Sequence, residues 1–140
     1  MADLERVNIK LVADDGSALE GVFELDHESE ACVLTLDFAR ERLRAEASDY
    51  FEALADIRGQ LAQRKLRPVC YGASRNVFPS GMARDMGAGL KAYRLTLGKP
   101  ARMKDLVGIL DVGPDVDPVP VEEQRTFFER WLESASTDQG

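Results

Sequence analysis

A chain of 140 residues with 44% hydrophobic and 31% charged content has the balance of one globular domain, long enough to bury a core without disulfides or metals. A net charge of −7 argues against general nucleic-acid binding. The apolar runs are too short for a membrane-spanning helix, and the opening MADLERVNIK lacks the apolar stretch of a signal peptide, so a cytosolic setting is the expectation. In that setting Cys32 and Cys70, each within an apolar strand-like run, read as buried reduced thiols. His27 is the only histidine, too few for the usual zinc sites and no support for a Cys–His nucleophile.

From the N-terminus, Val7, Ile9 and Leu11 alternate with polar residues, the period of a half-buried strand. Asp14-Asp15-Gly16-Ser17 is turn chemistry, and 21–25 reads as the second strand. After a polar turn at 26–30, Cys32, Val33, Leu34, Leu36 and Phe38 predict a third strand, and the alternation of Leu43, Ala45 and Ala47 predicts a short fourth. This pattern describes an antiparallel meander with one wet face. Asp49 with Glu52 resembles a capping box, and Tyr50, Leu54, Ile57 and Leu61 share one face of the helix that follows. Pro68 predicts that this helix stops near Lys65.

Beyond it, 69–71 reads as a fifth strand, 90–97 as a sixth and 106–110 as a seventh or a helical turn. The three prolines of 113–120 predict a rigid connector. A final helix is expected over about 121–133, with Val121, Phe128, Trp131 and Leu132 on its apolar face, Glu122 and Glu123 at its N-terminus and a frayed polar tail over 134–140. The fold expectation is a single α+β domain over 1–133. It has a mainly antiparallel sheet of five to seven strands and two amphipathic helices packed on one face.

Residues 72–91, GASRNVFPSGMARDMGAGLK, fit neither period. They lie within 58–104, which holds eleven Lys and Arg against one acid, Asp85, in a chain acidic on both sides. Gly81, Gly87 and Gly89 would let backbone N–H groups approach an anion. Arg75, Asn76, Ser80, Arg84, Asp85 and Lys91 could then serve an anionic small molecule as a ligand-binding or enzymatic site. The glycine spacing matches neither GxxxxGK[ST] nor GxGxxG, so no nucleotide cofactor is implied. In a second reading, Phe78, Met82 and Met86 tuck into the core beneath a long surface loop. In a third, the mixture of Arg75, Phe78, Met82, Arg84 and Met86 is that of a protein interface. Cys70 has arginines near in sequence but reads as a buried strand cysteine. Asp111, Asp115 and Asp117 lack the order of a calcium loop. No catalytic set, metal or cofactor is expected.

The run RPVCYGASRNVFPSGMARDMGAGLKAYRL at 67–95, with VEEQRTFFERWL at 121–132, resembles a group of small uncharacterised bacterial proteins. In size, acidity and lack of a catalytic signature the chain is similar to immunity proteins of bacterial toxin systems. The resemblance implies a protein partner, a toxin, met by an acidic surface, and it brings no catalytic residues with it.

Overall fold

The computed structural model describes residues 4–26 and 30–137, with side chains through Ser134. His27 and part of the polar turn at 26–30 lie outside the described residues. The order is β1 (Leu4–Ala13), β2 (Ala18–Asp26), β3 (Cys32–Phe38), β4 (Glu41–Ala47), α1 (Tyr50–Ala62), β5 (Leu66–Pro68), β6 (Val77–Phe78), α2 (Gly81–Gly87), β7 (Lys91–Arg94), β8 (Leu106–Gly108) and α3 (Val121–Thr137). The class is α+β, as the sequence predicts.

The first four strands form the expected meander. β1 pairs antiparallel with β2 from Leu4 opposite Asp26 to Val12 opposite Ala18, and β3 and β4 extend the sheet. Alternation puts Ile9, Leu11, Phe23, Leu25, Leu34 and Leu36 on the buried face, each at most 2% exposed. The β3–β4 turn uses Ala39 and Arg40, both at positive φ (45° and 65°). That conformation usually recruits Asn or Gly, so this turn carries no sequence signature. α1 crosses the buried face. Asp49 Oδ1 caps it by accepting from the Glu52 N–H at 2.8 Å, and Leu54, Ile57 and Leu61 are fully buried beneath it.

The single sheet expected from the sequence divides into two. The larger sheet runs β4-β3-β2-β1-β5, and β6-β7-β8 form a second, three-stranded sheet. The fifth strand falls at Leu66–Pro68 rather than 69–71, although the Val69 N–H still donates to Lys10 O at 2.8 Å. The chain then leaves the sheet through a buried 3-10 turn, Tyr71–Ala73. Gly72 allows this: a Cβ there would lie 2.5 Å from Leu54 Cδ2 and 2.9 Å from Ile109 Cβ. Close backbone approach beneath α1 redirects the chain, and local periodicity carries no trace of it.

The helices depart from expectation as well. A third helix, α2, occupies part of the segment read as an irregular loop. α3 continues to Thr137, past the expected end at 133. It packs against β6 and α1 rather than on the main sheet. Phe128 stacks on Phe78 with ring centroids 4.0 Å apart, and Leu132, expected to meet the sheet, is 46% exposed.

A buried polar network fastens α1, the 3-10 turn and α3 together. Arg58, 5% exposed, donates through Nη1 to Gln124 Oε1 (2.6 Å) and Gly72 O (3.3 Å), and through Nη2 to Val119 O (2.7 Å) and Ala73 O (3.4 Å). Gln124 Nε2 bridges the carbonyls of Gly72, Ser74 and Val77, each at 2.9 Å. Such satisfaction is what makes a buried guanidinium tolerable. Burial pulls the Arg58 pKa down to about 10, so the side chain stays charged at neutral pH.

Candidate functional site

The segment 72–91 folds as a buried turn, a two-residue strand and a seven-residue helix. Three of the eight predicted residues hold this shape. Asn76 Nδ2 donates to Leu95 O at 3.3 Å, linking β6 to the end of β7. Phe78 sits in an aromatic cluster, stacked on Phe128 and edge-on to Phe51 at 5.1 Å. Ser80 is the N-cap of α2, its Oγ accepting from the Ala83 N–H at 3.0 Å.

Two more are held by carboxylates. Arg75 pairs with Asp117 (3.2 Å) and Glu123 (3.1 Å). Arg84 donates through Nη1 to Asp49 Oδ2 (3.1 Å) and Glu52 Oε1 (2.9 Å), and its guanidinium lies 5.2 and 5.4 Å from the Phe51 and Phe78 ring centroids. Asp49 thus divides its two oxygens between capping α1 and holding α2. The Tyr50 N–H donates to Ala88 O at 2.7 Å, a second tie between the start of α1 and the end of α2.

The other three, Met82, Asp85 and Lys91, face solvent. Asp85 and Lys91 have no salt-bridge or side-chain hydrogen-bond partner among the described residues. Met82 is 71% exposed and Met86, one turn on, is 82% exposed. The expectation that both methionines tuck into the core is corrected. Arg84 and Phe78 dock the helix instead, and α2 buries none of its own residues. The spacing of four from Met82 to Met86 is the signal that puts them on one face, legible once the segment is known to be helical.

The remaining chemistry is structural. Cys70 is fully buried, and burial pushes its thiol up to about 11, leaving it protonated at neutral pH. Both cysteines are free. Asp115 accepts from Tyr71 Oη at 2.6 Å, and Asp117 is taken up by Arg75. Among the described residues no cluster of His, Cys, Asp and Glu has metal-binding geometry, and no helix is long and apolar enough to cross a membrane. No protein-family model matches the chain, and no curated protein matches it.

Sequence reading passed over Arg58 and Gln124. A signal was present: Arg58 lies four residues after Leu54 and seven after Phe51, inside the apolar face of α1.

Proposed function

We propose that this protein is a protein-binding module of the immunity type, with α2 as its contact point for a basic toxin. The observation that carries the reading is the pair Met82 and Met86, exposed side by side on a helix that is firmly anchored yet buries none of its own residues. Methionine is enriched at interfaces and adapts its shape to a partner. Aspartates and glutamates outnumber lysines and arginines by seven, which would steer a basic partner towards the surface and speed encounter. Asp85 lies between the two methionines and supplies an unpaired carboxylate at the contact.

The rival use of 72–91, on an anionic small molecule, has less behind it, because Arg75 and Arg84 are already engaged by carboxylates. Co-expression with a toxin encoded beside this gene tests the proposal. The wild-type chain should protect cells and co-purify with the toxin. Met82→Asp with Met86→Asp should keep the melting temperature and lose both. If cells die as fast as without this protein and no complex is recovered, the reading fails.

A further inference from the structure

A cavity of about 240 Å³ opens between α1, β5 and the start of α3. Its volume is that of about eight waters. Leu66, Pro68 and Val119 contribute apolar walls, and Arg58 lines it as well.

Three observations point to an anionic occupant. First, a guanidinium has five N–H donors. Arg58 spends four, all on neutral oxygens, and its Nε–H has no acceptor among the described residues. Among the described residues no carboxylate reaches ion-pair distance, so this 95% buried positive charge beside a cavity has only neutral oxygens as partners. Second, Val121 and Glu122 line the same cavity, and their N–H groups, in the first turn of the 17-residue α3, have no acceptor among the described residues. Third, Gly59, in the interior of α1, lines the cavity, and a Cβ there would meet nothing within 4 Å. Neither packing nor a positive φ asks for glycine there, so a larger side chain would extend from the cavity wall into open space.

The rim supports the same sign. Arg67 is balanced by Asp14 at 2.5 Å, whereas Lys65 has no carboxylate partner among the described residues. Glu122 is the opposing charge.

We infer that this cavity binds a small organic anion, its oxyanion end held by the Arg58 Nε–H, the first amides of α3 and Lys65, and its apolar body against Leu66, Pro68 and Val119. Carboxylate and phosphate ends share this chemistry. The cavity shares no residue with α2, so the inference stands apart from the protein-binding proposal.

Amide NMR titrations of the full chain with butyrate, butyl phosphate and uncharged butanol test it. Butyrate, butyl phosphate or both should shift the Val121 and Glu122 amides saturably, and butanol should not. The tighter of the two identifies the preferred head group, and either order supports the site. Gly59→Leu, which suits a helix better than glycine, should hold or raise the melting temperature while weakening binding about tenfold or more. Glu122→Gln should tighten binding about threefold, and Lys65→Gln should weaken it about as much. Absence of saturable shifts with both anions, equal shifts with butanol, or unchanged affinity in both Gly59→Leu and Lys65→Gln overturns the inference.

Discussion

Arginines of the basic segment meet two different environments. At the surface Arg67, Arg75, Arg84 and Arg94 each face a carboxylate: Asp14, Asp117 with Glu123, Asp49 with Glu52, and Asp115. In the interior Arg58 faces carbonyl oxygens and one amide. The contrast shows where a charge holds structure. Solvent already stabilises an exposed guanidinium, so its ion pair adds little. A buried one depends on every hydrogen bond it makes, and the backbone it touches depends on it in return.

Arg58→Met should break this comparison most deeply. It strands the Gln124 amide oxygen and the carbonyl of Val119, and the loss should be about 3–4 kcal/mol in urea unfolding. A loss no larger than that of a surface arginine would mean the network is not what ties α1 to α3. Next comes Gly72→Ala. Its Cβ would press on Leu54 and Ile109, and overpacking of this kind costs about 2–3 kcal/mol.

The surface pairs themselves form a graded series. Arg84 adds aromatic contacts and has a side chain only 23% exposed, so Arg84→Ala should cost about 1–2 kcal/mol. Arg75, with a side chain 46% exposed, should cost at most about 1 kcal/mol when replaced by alanine. Parallel thermal melts of the two variants check the order.

Acid titration separates the two classes by sign. The hydrogen bond from Arg42 holds the Asp37 carboxyl below its ordinary 3.8, and the hydrogen bond from Tyr71 does the same for Asp115. A carboxyl depressed in the folded state contributes stability above its unfolded pKa and loses it as pH falls through the folded value. These contributions should therefore be intact above about pH 5 and fade below about pH 4. Asp115→Asn should flatten that decline. The Arg58 network holds no carboxylate, so the stability lost in Arg58→Met should be the same at pH 4 and pH 7.

The elements legible beforehand are those in which neighbours along the chain share a face. β1 to β4 and α1 follow from period and capping because each buries its side chains against one continuous surface. α2 was not legible. It has seven residues, two of them terminal glycines, and no buried face, so hydrophobic periodicity had nothing to act on. Among the candidate residues, Ser80 as a cap and Phe78 as an aromatic anchor do structural work that composition alone reads as a binding site.

What the sequence determines unaided is the α+β class, the four-strand meander and the capped first helix, because these rest on contacts within a strand pair or a helical turn. Tertiary structure decides the rest: the division into two sheets, the seating of α3 on β6, and the fate of each arginine. Those outcomes rest on partners far apart in the chain. Arg58 meets Gln124 across 66 residues and Arg75 meets Asp117 across 42, separations over which no local pattern says whether a charge will be buried, paired or left open.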